Sequence, residues 1–187
     1  MALTHSTEKN LGLKAPEFNL IGVDEKTYSL NSFSDARALM VVFMCNHCPY
    51  VVAVRERINE LAKQCLEKGS MLVGINSNDA VKYPKDSYEA MQENAKAYGY
   101  VFPYLYDDTQ QVAKSYDAVC TPDPFLFENV NGEFLLRYQG RVDDNWKEPA
   151  MVTRNDLSLA LDAVLEQKKL GFEVVPSMGC NIKWKAD

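Results

Sequence analysis

Two of the five cysteines in this 187-residue chain stand only two residues apart, in Cys45-Asn46-His47-Cys48-Pro49. Thiols at that spacing can close a small ring on oxidation, supply half of a zinc site, or sit buried and inert. Zinc needs a second pair at similar spacing, which Cys65, Cys120 and Cys180 do not form. Haem attachment needs a histidine after the second cysteine, where Pro49 stands. Thiol–disulfide exchange remains the strongest reading: a thiolate attacks a disulfide sulfur, and a second thiol resolves the mixed disulfide. Ring closure between near neighbours costs less chain entropy than bridging a long loop, so oxidation is expected to join Cys45 to Cys48 first. No metal and no bound cofactor are expected.

The elements around the pair support that chemistry. Leu39 to Met44 is an uncharged apolar run suited to a strand buried on both faces. Residues 49 to 68 switch to helical period, with Val51, Val54, Ile58, Leu61, Ala62 and Cys65 on one arc, and Gly69 is a stop signal. Met71 to Ile75 reads as a second strand, parallel to the first across a right-handed crossover. The cysteines are thus expected on the first turn of the helix, where unpaired N–H groups and the macrodipole favour a thiolate.

Further along, Tyr88 to Tyr98 has helical spacing, Tyr104 to Tyr106 is a short strand, and a short helix holds Val112, Ala113 and Tyr116, capped near Thr109. Phe125 to Phe127 and Phe134 to Tyr138 flank the hairpin signal Asn131-Gly132. Thr153 to Asp156 resembles a capping box opening a last helix. Phe18 to Leu20 and Thr27 to Leu30 suggest a hairpin around Asp24-Glu25. With no repeat, linker or second core, residues 1–187 read as one α/β domain, with residues 1–10 a mobile end and 172–187 a tail.

Twenty basic and 26 acidic side chains give a net charge of −6 and a pI near 5.0, with no basic cluster to track phosphates, so nucleic acid is not an expected partner. No apolar run approaches the roughly 18 residues that span a bilayer. The first ten residues lack the pattern of a secretory signal, and a cytoplasmic location is expected.

The strand, the Cys45-Asn46-His47-Cys48-Pro49 segment, the β-α-β then β-β-α order and Thr121-Pro122 before a strand resemble the thioredoxin superfamily. The N-terminal hairpin and the long stretch from 77 to 117 are similar to its redoxin (AhpC/TSA, peroxiredoxin-like) branch. Within that branch the chain resembles proteins with a thioredoxin-style CxxC and a terminal Gly-Cys-x-Ile-Lys-Trp segment, here Gly179 to Trp184. The resemblance implies a thioredoxin fold: a central mixed β-sheet flanked by helices, with an N-terminal β-hairpin, a helical insert and a C-terminal tail. It implies a thiol–disulfide oxidoreductase with Cys45 as exposed attacking thiolate and Cys48 as resolving thiol. Thr121 and a cis Pro122 would leave a strand-like edge for a substrate peptide, and a cellular thiol would supply electrons. His47 would lend a hydrogen bond or charge to the Cys45 thiolate. Cys120, two residues before Pro122, is a candidate third thiol but reads more simply as a buried small residue. Cys65 reads as core, and Cys180 as a tail residue docked for structure. Neither cysteine of the pair stands in the peroxiredoxin pattern Pro-x3-Thr-x2-Cys, since Cys45 and Val41 or Val42 and Ala38 fill its Thr and Pro places. Two alternatives stay open: a thiol peroxidase acting on hydroperoxides, and a non-enzymatic redox sensor or binding module.

Overall fold

The computed structural model describes residues 3–7 and 10–186. In chain order the strands and helices are β1 (Leu3–His5), β2 (Asn19–Gly22), β3 (Thr27–Ser29), β4 (Ala38–Phe43), α1 (Pro49–Glu67), β5 (Met71–Asn76) and α2 (Tyr88–Ala97). They continue with β6 (Tyr104–Tyr106), α3 (Gln111–Tyr116), β7 (Cys120–Thr121), β8 (Asp123–Val130), β9 (Glu133–Gln139), α4 (Asp156–Leu165) and β10 (Met178–Asn181). The main sheet runs β3-β2-β6-β5-β4-β8-β9, and a small sheet runs β1-β10-β7. Among the described residues no helix is long and apolar enough to cross a membrane.

Strand β4 is the centre of this mixed sheet, parallel to β5 and antiparallel to β8, and all its residues are buried. Because strand side chains alternate, Met40 and Val42 join the core under α1 and α4, while Leu39, Val41 and Phe43 join the core on the other face. Fully burying a Val, Leu or Ile side chain contributes about 1.5–3 kcal/mol. The arc of Val51, Val54, Ile58, Leu61, Ala62 and Cys65 therefore holds α1 firmly against the sheet. Gly69, with φ of +67°, then turns the chain into β5. The consequence for chemistry is that the β4–α1 junction is fixed from both sides.

The N-terminal hairpin and the Asn131-Gly132 hairpin form where their turn residues put them. Two caps differ from expectation because carboxylates take other partners. Thr109 does not cap α3 alone: buried Asp107 accepts from the backbone N–H of Ala113 at 2.9 Å and of Val112 at 3.4 Å. The Thr153–Asp156 box does not form, since the Thr153 hydroxyl bonds Asp144 and Asp156 binds Arg141 and Arg154. Asp156 is completely buried, and a charge taken out of water demands such paired cations.

The larger correction concerns the ends. Residues 1–10 were expected to be a mobile terminus, yet Leu3–His5 is a strand paired antiparallel with β10, and Ser6 exchanges hydrogen bonds with Ser177 at 2.9 Å. Residues 1, 2, 8 and 9 lie outside the described residues. β10 in turn pairs with β7, placing Cys180 opposite Thr121 and Asn181 opposite Cys120. This pairing brings Gly179 so close that a Cβ there would sit 1.9 Å from the Thr121 carbonyl oxygen. Only glycine allows the approach. Gly179→Ala should therefore push β10 away from β7, at a cost of about 1–3 kcal/mol, the range for overpacking a tight site. Chemical denaturation and faster amide exchange across 177–182 would register it; unchanged stability and exchange would contradict the fit.

Candidate active site

The chain leaves β4 with the Met44 N–H still bonded to the Ile75 carbonyl at 2.9 Å, then makes a four-residue loop into α1. Cys45 lies on that loop and Cys48 is the N-cap of α1, with extended φ of −65° and ψ of 123°. Pro49 opens the helix, where its missing N–H costs nothing. Both cysteines thus immediately precede the first full turn of a helix that begins at Pro49, as the helical period from residue 49 predicts. Of the two sulfurs, the one nearer the helix N-terminus belongs to Cys48.

All five cysteines are thiols and all are buried. Cys45 is 2% and Cys48 1% exposed, so the expected exposed Cys45 is corrected as well. The hydrogen bonds divide the pair. The Cys48 thiolate is favoured first by the neighbouring Cys45 thiol, against the cost of burial, and further by Cys180, the start of the α1 backbone and Thr121. These hold the Cys48 pKa below the ordinary thiol value. When protonated, Cys48 donates to the Thr121 carbonyl at 3.1 Å, a contact that opposes ionisation but does not match the donors. Cys45 moves the opposite way. Its bond to Cys48, its burial and the negative charge of Asp86 push its pKa well up, opposed by the Thr121 hydroxyl at 3.4 Å. The surroundings therefore favour the thiolate on Cys48 over that on Cys45.

Beneath the loop lies a buried carboxylate that sequence gave no reason to single out. Asp86, completely buried, accepts from the Asn46 backbone N–H at 2.8 Å and the Asn78 side-chain amide at 2.7 Å. His47 Nδ1 is 2.7 Å from its other oxygen contact, Oδ2, and the imidazole stacks on Tyr83, ring centres 5.8 Å apart. His47 thus faces Asp86 rather than donating to a cysteine, and acts by holding the loop. The Asn46 amide bonds the Lys85 carbonyl at 2.8 Å and receives the Tyr104 hydroxyl at 3.0 Å. Cys45, His47 and Asp86 offer three metal-ligand atoms within 4.8 Å of one another. Asp86 already accepts from two amides and Cys45 contacts the Thr121 hydroxyl, while His47 Nδ1 lies beside Asp86 without forming a hydrogen bond. The set fits a hydrogen-bonded network better than an ion cradle.

The Thr121–Pro122 peptide bond is cis and faces the pair. The expected open edge for a peptide is not there: β10 already occupies it, with the Ser177 hydroxyl bonding the Pro122 carbonyl at 2.5 Å and the Ile182 N–H bonding Val119 at 3.0 Å. Beyond it, the Lys183 backbone bonds Asn78 and Asp79, and Gln110 clamps the Ser77 and Lys183 carbonyls, so the tail is tied down on both sides. A cavity of about 540 Å³ remains beside Pro122, lined in part by Val54, Val142, Trp146 and Met178.

Of the other thiols, Cys65 is core, 3.8 Å from the Met40 sulfur, with its pKa pushed up to about 12 by burial. Cys120 is completely buried, bonds the Pro122 carbonyl at 3.8 Å, and is held protonated by burial and nearby negative charge. Cys180 is the surprise. It docks the tail as expected, but opposite Thr121 it also shares one buried cluster with Cys45 and Cys48. No sequence spacing connects positions so far apart; the Gly-Cys-x-Ile-Lys-Trp segment from Gly179 to Trp184 was the visible signal. Because the Asp86 charge opposes ionisation of Cys45, Asp86→Asn should lower the Cys45 pKa. Alkylation against pH, resolved by peptide mass, reads it directly; an unchanged or higher value would contradict the electrostatic account.

With this geometry in place, comparisons with other proteins gain meaning. The AhpC/TSA family matches residues 11–144, more than half of the chain. A hypothetical protein from Sinorhizobium meliloti is 44% identical, with a TM-score of 0.91, covering 98% of this chain and 100% of that one. An uncharacterized conserved protein from Geobacillus kaustophilus is 42% identical, with a TM-score of 0.93, covering 100% and 98%. A thioredoxin family thiol:disulfide interchange protein from Chlorobium tepidum, 18% identical over 84% of this chain and 99% of that one, shares the fold at a TM-score of 0.62. Comparison with curated proteins finds no match. The mixed sheet flanked by helices is a thioredoxin fold, and by the extent of its family match this chain belongs to the AhpC/TSA family.

Proposed function

We propose that the protein is a thiol–disulfide oxidoreductase in which Cys48 is the attacking thiolate and Cys45 the resolving thiol. The observation that carries this reading is the placement of both thiols against Thr121 at the start of α1: Cys48, the N-cap, lies 3.1 Å from its carbonyl and Cys45 lies 3.4 Å from its hydroxyl, in surroundings that favour charge on Cys48 over Cys45. Cys48 attacks a substrate disulfide, forming a mixed disulfide and expelling one substrate thiolate. Cys48 then carries no charge, so two of the influences that hold Cys45 protonated, the bond and the charge of Cys48, disappear. Cys45 loses its proton, attacks the Cys48 sulfur, and the second substrate thiolate leaves. The substrate gains two electrons, one proton from Cys45 and one from solvent, the protein keeps a Cys45–Cys48 disulfide, and a cellular thiol reduces it again.

The occupied edge beside Thr121 favours a disulfide that is small or extended over one that docks as a broad protein surface. His47 and Asp86 position the loop, while Thr121 touches both sulfurs. A second reading draws on the burial of Cys48 and on the family. A hydroperoxide is small enough to reach the thiolate, which would become a sulfenic acid with release of an alcohol or water. Cys45 would then displace water from that sulfur and form the same disulfide.

Parallel turnover assays separate the two, using glutathione disulfide or hydrogen peroxide with a thiol donor. Disulfide reduction should dominate, and Cys48→Ser should lose it by at least about a hundredfold, as removal of a nucleophile does. Cys45→Ser should stop after one attack, with substrate bound to Cys48. Peroxide turnover far exceeding disulfide reduction would overturn the leading reading. So would substrate trapped on Cys45 in the Cys48→Ser protein.

A further inference from the structure

Three thiols meet where a two-thiol mechanism needs only a pair. The pairing of β10 with β7 sets Cys180 opposite Thr121, whose carbonyl and hydroxyl contact Cys48 and Cys45 respectively, and all three cysteines share one buried cluster. The Gly179 contact makes that placement strict, since any larger residue would lift the strand carrying Cys180 away. Hydrogen bonds from Ser177, Ile182, Lys183 and Lys185 anchor the segment on both sides of the cysteine. Cys48 thus has two thiols for neighbours, Cys45 from its own loop and Cys180 from the far end of the chain, and both favour its thiolate.

We propose that Cys180 is a second resolving thiol, which attacks the oxidised Cys48 sulfur to form a Cys48–Cys180 disulfide. This rests on the reading of Cys48 as the attacking residue. Starting from a mixed disulfide on Cys48, the Cys180 thiolate attacks the Cys48 sulfur, the new bond forms, and the substrate thiolate leaves and takes up the proton that Cys180 lost. Starting from Cys45–Cys48, the same attack expels the Cys45 thiolate, which is protonated; the bond moves with no net oxidation. Electrostatics assist in both cases. Burial first, and then the bond and charge of Cys48, hold the Cys180 pKa up at about 12 in the reduced protein. Oxidation of Cys48 removes the last two.

The relay has a structural consequence. A Cys45–Cys48 disulfide leaves the terminal strand held by hydrogen bonds alone, whereas a Cys48–Cys180 disulfide fastens that strand covalently over the cis-proline edge. Reduction of the second bridge frees both the nucleophile and the cover.

The test uses the full chain carrying Cys45→Ala, treated with glutathione disulfide, quenched in acid and mapped by peptide mass spectrometry. The expected product is a Cys48–Cys180 bridge, seen as a loss of two hydrogens with release of glutathione. Cys45→Ala with Cys120→Ser should give the same bridge, and Cys45→Ala with Cys180→Ser should instead retain glutathione on Cys48. A lasting glutathione adduct on Cys48 in the Cys45→Ala protein would overturn the role of Cys180 while leaving Cys48 as the attacking residue. Absence of any product at Cys48 would overturn both. In the wild-type protein, equilibration with glutathione should yield Cys45–Cys48 and Cys48–Cys180 bridges together. Folding of each variant is read from its circular dichroism before treatment; if Cys45→Ala is unfolded, the wild-type map decides alone, and exclusive Cys45–Cys48 bridging there overturns the proposal.

Discussion

The site is organised by the need to stabilise one negative charge in a buried place. A thiolate taken out of water is unfavourable unless hydrogen-bond donors replace the lost hydration. Cys48 meets that need by standing at the N-cap of α1 with Thr121, Cys45 and Cys180 around it. The same condition fixes the neighbours. Cys45 must stay protonated to donate, and burial together with the Asp86 charge keeps it so. Asp86, itself completely buried, is tolerable only because Asn46, Asn78 and His47 surround it. Each partner therefore has its protonation or orientation set by the next.

The scaffold supplies rigidity on three sides. β4 is clamped between β5 and β8, so its end cannot drift. α1 is held by its apolar arc, which fixes the N-cap. The third side is the terminal strand, which a thioredoxin-like edge would otherwise leave open for pairing. Unpaired edges attract other strands, and here the chain covers its own edge with β10 and β1. A cover made of short strands is easier to displace than the central sheet, since few hydrogen bonds hold it. Access to the sulfurs and stability of the tail are consequently linked.

Much of this was legible in the sequence because local pattern and tertiary role agree. The apolar run before Cys45 and the helical arc after Pro49 identified β4 and α1 nearly to the residue, and the hairpins followed from Asp24-Glu25 and Asn131-Gly132. The Cys45–Cys48 pair needed only its spacing. What stayed hidden was long-range. Strands of two to four residues, such as β1, β7 and β10, are too short to display a period. Asp86 sits in a polar stretch where its burial leaves no local trace. The balance of charge within the pair was hidden for the same reason: it depends on Cys180 and Asp86, distant in sequence. His47, adjacent to Cys48 in sequence, turned to Asp86 because a buried carboxylate is the stronger attraction.

The central claim is that Cys48, not Cys45, carries the charge in the reduced protein. The most direct measurement is a pH titration of the protein labelled with carbon-13 at the cysteine β-carbons, assigned by single substitution of each cysteine. The account predicts that the Cys48 resonance shifts at a pH below the ordinary thiol value of about 8.5, and that Cys45 shifts only at higher pH. A Cys45 resonance that titrates first, or a Cys48 resonance still unshifted when Cys45 has ionised, would contradict it.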